Sequence, residues 1–287
     1  MKNKSGTSIS VVINTLNEEK NLPYVLRSVC DWADEIIVVD MHSDDRTVDI
    51  AKQYGATVFN HERKNFVEPA RQFAIEQAAS EWVLILDADE LVPEPLSRKF
   101  MQIISNDEID VVLIPRLNYL LGKPLMHTGW SPCQDKHHRL FRKNKLITSS
   151  TIHSTLEPVE DANILELNYA PGLAIVHFNY LDSTHFIEKL NRYTSIEAQQ
   201  SLERGEKHNY RRMFFSSAKI FVNRFIKNKG YKDGWRGLYL SLLMVFYRVV
   251  TNMKLKELET IGDGPQIESH YHAEAERFLA DYGKASE

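Results

Sequence analysis

The stretch Trp82-Val83-Leu84-Ile85-Leu86-Asp87-Ala88-Asp89-Glu90 decides the fold. Its apolar run reads as a buried strand, and the strand stops abruptly in carboxylates. Anions at the end of a buried strand are costly unless water, a metal ion or a ligand compensates them. The run therefore predicts a sheet edge where a divalent cation holds phosphates.

Working outward, Ser8 to Ile13, Glu35 to Val39 and Ala56 to Phe59 are further short, β-branched strand candidates. Between them Glu18 to Asp31, Asp45 to Tyr54 and Val67 to Ala79 carry apolar residues at helical spacing, with Gly55 as a stop after the second. Strands alternating with helices over short connections predict an α/β fold with a mostly parallel sheet and helices on both faces. Ligands bind such sheets beyond the carboxyl ends of the strands. Those ends carry Asn14, Thr15 and Asn17, then Asp40, then Asp87 and Asp89, a set of polar groups suited to a nucleotide.

From about 90 to 180 the strand candidates Val111 to Pro115 and Ala174 to His177 frame a polar middle. We read 1–180 as one domain, with a nucleotide half over about 1–90 and an acceptor half over about 91–180, and 181–287 as a helical C-terminal extension. The latter has helices over His185 to Gln200 and Arg211 to Ile226. Gly237 to Tyr247 is uncharged for eleven residues, short of the ~20 that a spanning helix needs, and fits a membrane-surface or core helix. Residues 207–256 hold twelve Lys and Arg against Asp233 alone, a net +11. Interleaved with Phe214, Phe215, Phe221, Phe225, Trp235 and Tyr239, they could form a nucleic-acid face or a membrane-surface face. Aromatics and aliphatics at helical spacing beside Lys and Arg suit anionic lipid headgroups, and a packed helical appendage is the plain alternative.

With 287 residues, 43% hydrophobic and 26% charged, the chain can bury a sizeable core and is not of the disordered class. The net charge of −4 argues against a general nucleic-acid binder. Two cysteines, Cys30 and Cys133, make a disulfide framework implausible and point to a reducing compartment. The first residues lead into a strand without a secretory apolar stretch, so a cytoplasmic location is expected. His137-His138 and His270-x-His272 have no third ligand at structural zinc spacing. Asp40 is open to two roles, accepting from a pyrimidine N–H or capping a turn, and Arg71 to a diphosphate contact or a solvated surface.

The segments Val11-Val12-Ile13-Asn14-Thr15-Leu16-Asn17-Glu18-Glu19, Trp32 to Asp40 and Leu86-Asp87-Ala88-Asp89-Glu90 resemble the inverting family 2 glycosyltransferases of GT-A fold. The resemblance continues through Gly129-Trp130, Arg139-Leu140-Phe141-Arg142, Ile152-His153 and His177-Phe178-Asn179-Tyr180 to Lys232-Asp233-Gly234. That subset is similar to bacterial lipopolysaccharide inner-core glucosyltransferases and related envelope-glycan enzymes. Two departures stand out: Met41 to Thr47 replaces the small, glycine-bearing turn after Asp40, and Ser154 follows His153 where the subset often has Glu.

The resemblance implies that Thr15, Asn17 and Glu18 line the nucleotide pocket, Asp40 reads the base and Arg71 approaches the diphosphate. Asp87 and Ala88 would contact the nucleotide sugar, with Asp87 on the ribose or supporting the metal shell. Asp89 would ligate Mn²⁺ or Mg²⁺, and His153 would complete metal or diphosphate binding. Asp135, four residues before Arg139, matches the position of the base, with Glu157 in reserve. The expected activity is metal-dependent, inverting transfer of a hexose from a nucleotide-diphosphate sugar, UDP-sugar foremost, to a lipopolysaccharide, lipid-linked or other envelope glycan acceptor. The expected location is cytoplasmic, peripheral at the inner membrane face, with an anionic membrane surface and no nucleic acid as partner. A sugar-phosphate nucleotidyltransferase would need a glycine-rich, arginine-bearing loop where Asn14 to Glu19 stands. A non-catalytic membrane scaffold that kept the fold is the other alternative, which retained Asp87, Asp89 and Asp135 disfavour.

Overall fold

The computed structural model describes residues 7–63, 68–147, 156–262 and 264–280, and the chain divides into two units, 1–183 and 184–287. The first opens with Ile9–Thr15 (β1), Leu22–Val29 (α1), Glu35–Asp40 (β2), Thr47–Gln53 (α2), Thr57–Asn60 (β3), Glu68–Gln77 (α3) and Trp82–Asp87 (β4). All seven residues of β1 are buried, because β2 and β4 pair with it in parallel on either side and helices cover both faces. Strand alternation sorts the faces. Ile9, Val11 and Ile13 pack with α1 and α2, whereas Val12, Ile37, Val39, Val83 and Ile85 pack with Ala70 and Ala74 of α3. Asn14 and Asp87, opposite each other in register, fall on the α3 side by the same alternation.

The expected first helix, 18–31, is shorter in the structure. Pro23 sits at its first positions, and Glu18 to Asn21 form a turn whose Glu18 carbonyl accepts from the Asn21 and Leu22 N–H groups.

After β4 come Glu90–Leu91 (β5), Glu94–Ile103 (α4), Val111–Leu120 (β6), Lys123–Pro124 (β7), Lys136–Arg142 (β8), Leu146–Ile147 (β9), Glu157–Pro158 (β10), Ile164–Glu166 (β11) and Ile175–Tyr180 (β12). The main sheet runs β3-β2-β1-β4-β8-β6-β12-β5. β8, which periodicity did not mark as a strand, is antiparallel to both β4 and β6 and joins the two halves of the sheet. Trp82, Phe100 and Phe141 are fully buried around this junction, each stabilising by about 1.5–3 kcal/mol through apolar burial.

The turn Asp87-Ala88-Asp89 carries the chain out of β4, and β5 then pairs antiparallel with β12, placing Glu90 opposite His177. Phe178 N–H donates to the Asp89 carbonyl at 3.0 Å. The acidic cluster thus bridges the centre of the sheet and its far edge.

The second unit is built from Ser183–Glu203 (α5), whose first residue closes the first unit, Tyr210–Phe221 (α6), Gly234–Thr260 (α7) and Gly264–Leu279 (α8), with a π-helical turn at Val222–Lys227 and a 3-10 turn at Gly230–Asp233. Asn209 caps α6 by accepting from the Arg212 N–H at 2.9 Å. Gly237 allows α7 to press against the 3-10 turn, since a Cβ there would collide with the Gly230 carbonyl. The uncharged run 237–247 is only part of the first half of a 27-residue helix. By length and composition alone Gly230–Thr260 is long and apolar enough to cross a membrane, although its longest charge-free part is the eleven residues 237–247.

Candidate active site

Two groups of polar side chains form at the carboxyl ends of the parallel strands. Thr15 and Asp40 are neighbours in register at the ends of β1 and β2, and the Thr15 hydroxyl donates to Asp40 Oδ1 at 3.0 Å. Asp40 also accepts from the Ser43 N–H (2.8 Å) and hydroxyl (2.6 Å) and is almost wholly buried. Beyond them the two loops are zipped together. Asn17, at φ 57°, donates its N–H to Ser43 Oγ at 2.8 Å and accepts from the Asp44 N–H at 2.7 Å. The Glu18 N–H donates to Thr47 Oγ1 at 2.8 Å, and the Glu19 N–H to Asp45 Oδ2 at 3.1 Å. Burial raises the Asp45 pKa, but the Thr47 and Glu19 hydrogen bonds outweigh it and hold it below the usual carboxylate value. In this structure Thr15, Asn17, Glu18 and Asp40 therefore shape the loop edge chiefly by bonding to it.

The second group is a continuous charged network. Asp87 receives Arg71 Nη2 on Oδ1 at 2.5 Å and Arg139 Nη2 on Oδ2 at 2.7 Å. Arg139 Nη2 also donates to Glu90 Oε1 at 3.0 Å, which Arg116 Nη1 reaches at 3.3 Å. Arg116 Nε donates to Asp135 Oδ2 at 2.9 Å, as does Asn118 Nδ2 at 2.5 Å, and His137 Nε2 lies 2.9 Å from Oδ1. His177 Nδ1 lies 2.7 Å from Asn118 Oδ1, and its Nε2 is 3.5 Å from Asp89 Oδ1. Asp87, Asp89, Arg71 and Asp135 are thus brought together, whereas Glu157, the reserve base, is exposed on the two-stranded ribbon β9–β10. His153 lies outside the described residues.

Burial raises the Asp87 pKa, yet the charges of Arg139 and Arg71 overcome it and hold the carboxyl well below the ordinary range. For Asp135 burial again acts upward, and the His137 hydrogen bond with the Arg116 charge wins, leaving it well below the ordinary carboxylate value. Burial lowers the Arg139 pKa less than the charges of Asp87 and Glu90 raise it. His137 is pushed down, because burial outweighs its bond to Asp135. Each of these charges has a partner within the protein.

Four polar atoms in this neighbourhood are buried without a hydrogen-bond partner: Asn14 Oδ1 and Nδ2, Arg71 Nε and Arg139 Nη1. Such groups cost about 1–3 kcal/mol each when left unmet, so their grouping on the α3 side of Asp87 marks a place where a polar ligand belongs. Asn118 donates its amide to Asp135, so its oxygen accepts the His177 Nδ1 proton. That tautomer turns the Nε2 lone pair towards Asp89 Oδ1, two acceptors with room for a cation between them.

Among the described residues no three His, Cys, Asp or Glu side chains are placed to hold a metal ion by themselves. Asp87 has both oxygens taken by arginines. An Mg²⁺ or Mn²⁺ ion would therefore rest on Asp89 and His177, with phosphate oxygens and water completing its shell, a donor set that fits hard cations.

Sequence reasoning quoted Arg139, His177 and Glu90 without giving them a task and passed over Arg116 and Asn118. The signal for the last two was a charge and an amide interrupting the apolar run Val111–Leu120. A charge inside a buried strand is nearly always paired.

The site is a charged polar cluster at the carboxyl ends of the parallel strands of an α/β sheet. Residues 10–157 match the Glycosyl transferase family 2 model, and the chain belongs to that family. The fold is of GT-A type and the protein is a glycosyltransferase. An uncharacterized glycosyltransferase of Rickettsia felis is 27% identical over 87% of this chain and 89% of its own length. The lipopolysaccharide core biosynthesis glycosyltransferase LpsC of Rhizobium meliloti is 25% identical over 91% of this chain and 96% of its own. Among solved structures, glucosyl-3-phosphoglycerate synthase from Mycobacterium tuberculosis, in complex with Mn²⁺, uridine-diphosphate and phosphoglyceric acid, is 27% identical with a TM-score of 0.33. That likeness covers 40% of this chain and 44% of the other, less than half of either.

Proposed function

We propose that this glycosyltransferase moves a hexose, with inversion, from a UDP-sugar to a lipopolysaccharide, lipid-linked or other envelope glycan acceptor, in the cytoplasm at the inner face of the membrane. The observation that carries the reading is the set of unmet buried donors on Asn14, Arg71 and Arg139 beside the acidic turn. Guanidinium donors and an amide suit the oxygens of a diphosphate. The similarity to LpsC, named for lipopolysaccharide core biosynthesis, supports the acceptor class.

In this reading Arg71 and Arg139 hold the diphosphate and stabilise the charge that builds on it as the glycosidic bond breaks. Asp89 and His177 would hold an Mn²⁺ or Mg²⁺ ion, which when bound would supply Lewis-acid neutralisation of the departing diphosphate. Thr15, Asn17 and Glu18 form the edge against the nucleotide, and the base N–H meets the remaining lone pair of Asp40 Oδ2. Asp87 and Ala88 set the turn beneath the sugar.

An acceptor hydroxyl attacks the anomeric carbon from the side opposite the diphosphate and must lose its proton to a base. Asp135 takes this role when the hydroxyl replaces His137 on Oδ1. The low pKa of Asp135 favours a second reading. His137, held neutral with Nε2–H on Asp135, keeps the Nδ1 lone pair, and its side chain is 35% exposed. Nδ1 would then take the proton while Asp135 orients the ring, as a carboxylate orients a catalytic imidazole.

Asp89→Asn tests the metal assignment, because it removes charge without changing volume. Calorimetry with UDP should show Mn²⁺-dependent affinity in the parent protein and its loss in the variant. Mn²⁺-dependent affinity retained at the parent level would overturn the assignment.

A further inference from the structure

In a water-facing helix the exposed stripe is polar and the buried stripe apolar. The first five turns of α7 are turned the other way. Trp235, Leu238, Tyr239, Leu242 and Phe246 are 36–55% exposed, and at 3.6 residues per turn they fall within an arc of roughly 100°. Met253, 50% exposed, continues the stripe two turns on.

The opposite side holds Gly237, Ser241, Arg248, Thr251 and Asn252, whose polar groups are spent inside the unit. Ser241 Oγ donates to the Gly237 carbonyl at 2.7 Å, and Arg248 Nε to Ser216 Oγ of α6 at 3.2 Å. Tyr247 donates its hydroxyl to Glu197 of α5 at 2.8 Å. On α6, which packs on α7, Phe214 and Phe215 are 68% and 70% exposed.

The charge around this apolar surface is overwhelmingly positive, with Asp233 the one acid between residues 207 and 256. Lys219, Lys227, Lys229 and Lys232 are exposed on α6 and the turns between it and α7, within the segment of net +11. A second copy of so basic a face would repel it, and Leu238 and Leu242 offer a phosphate backbone nothing. Aromatic rings with apolar bodies and polar tips, aliphatics at the centre and lysines at the margin match a bilayer interface with anionic headgroups.

Gly230–Thr260 has the length and composition of a span, but its charges favour an in-plane helix. Arg236 and Arg248 bound a charge-free run of eleven residues, about 16 Å of helix against a hydrocarbon core of ~30 Å. Lys254 further along is held by Asn191, Thr194 and Ser195 of α5.

We propose that the α6–α7 pair is a monotopic docking surface for an anionic bilayer, lying in the interfacial plane with the Trp235–Phe246 stripe seated at the headgroup–acyl boundary. The inference deepens the inner-membrane placement proposed above and rests on it, but vesicle binding is read without sugar donor or acceptor. Loss of turnover and loss of docking are thus separate results.

The test uses the full chain with vesicles of phosphatidylcholine alone or with about one-third phosphatidylglycerol, a composition that sets the surface potential. Co-sedimentation should be strong on the anionic vesicles, weak on the neutral ones, and reduced by salt. Each lysine near the surface is worth about fivefold in partitioning. Exchange of Lys219, Lys227, Lys229 and Lys232 for Gln should therefore weaken binding at least about a hundredfold. Brominated lipid should quench Trp235, with the quenched component gone in Trp235→Phe although that variant still binds. Equal binding to both vesicles, indifference to the four substitutions, or no quenching of Trp235 would overturn the proposal. Displacement from vesicles by a single-stranded RNA without any bromolipid quenching would replace it with a nucleic-acid face.

Discussion

Glu90→Gln probes the charged network at its most enclosed point. The Glu90 side chain is wholly buried, and its oxygens receive Arg139 at 3.0 Å, Arg116 at 3.3 Å and the Asp87 N–H at 2.9 Å. Glutamine keeps the volume but has one acceptor oxygen where carboxylate has two, so one contact must fail and two guanidiniums lose a countercharge. Removing one partner of a buried ion pair costs about 3–5 kcal/mol. For a unit of this size that corresponds to a melting point lower by roughly 6–20 °C. Because the two units need not unfold together, urea unfolding is best followed by tryptophan fluorescence in a Trp235→Phe background. Trp32, Trp82 and Trp130 then report on the first unit alone. A loss smaller than about 1 kcal/mol, the size of an ordinary surface substitution or less, would show that Glu90 does not anchor Arg116 and Arg139. Rigid placement of those arginines by a buried acid would then have to be abandoned.

Asp87 and Asp135 have folded-state pKa values below the unfolded carboxylate value of about 3.9, so both stabilise the fold above that pH and lose their contribution as pH falls towards the folded values. Stability should decline from about pH 5 downward, and Asp135→Asn, weaker at neutral pH, should show a shallower acid limb by urea titration. Parallel limbs would contradict the assignment. For the base, Asp135→Asn should lower kcat by ~10²–10⁴ with UDP affinity little changed. His137→Gln should match that loss if Nδ1 takes the proton, and cost far less if Asp135 does. Near-parental transfer by both variants would rule out Asp135 and His137 and shift the role to another acid.

The first ninety residues were legible because their signals are local. β1 to β4 follow from β-branched runs, the helices between them from apolar spacing, and Asp87 and Asp89 from an apolar strand that ends in carboxylates. Even the inside-out character of α7 could be glimpsed in an uncharged run flanked by lysines and arginines, although the true length of the helix could not. Thr15 and Asp40 were correctly placed at strand ends, but their register, which turns them towards each other, was not visible. Sheet order is what the sequence leaves open. Arg139 meets Asp87 across 52 residues and His177 meets Asn118 across 59, because β8 inserts antiparallel between β4 and β6 while β5 returns to pair with β12. No periodicity within one segment encodes which distant segment will lie beside it. That choice is made by mutual burial of whole faces. The sequence by itself thus determined the parallel half-sheet and the acidic turn. Only tertiary packing decided that Glu90, Arg116, Asn118 and His177 join that turn, since a buried charge is tolerated only where its partners arrive from elsewhere in the chain.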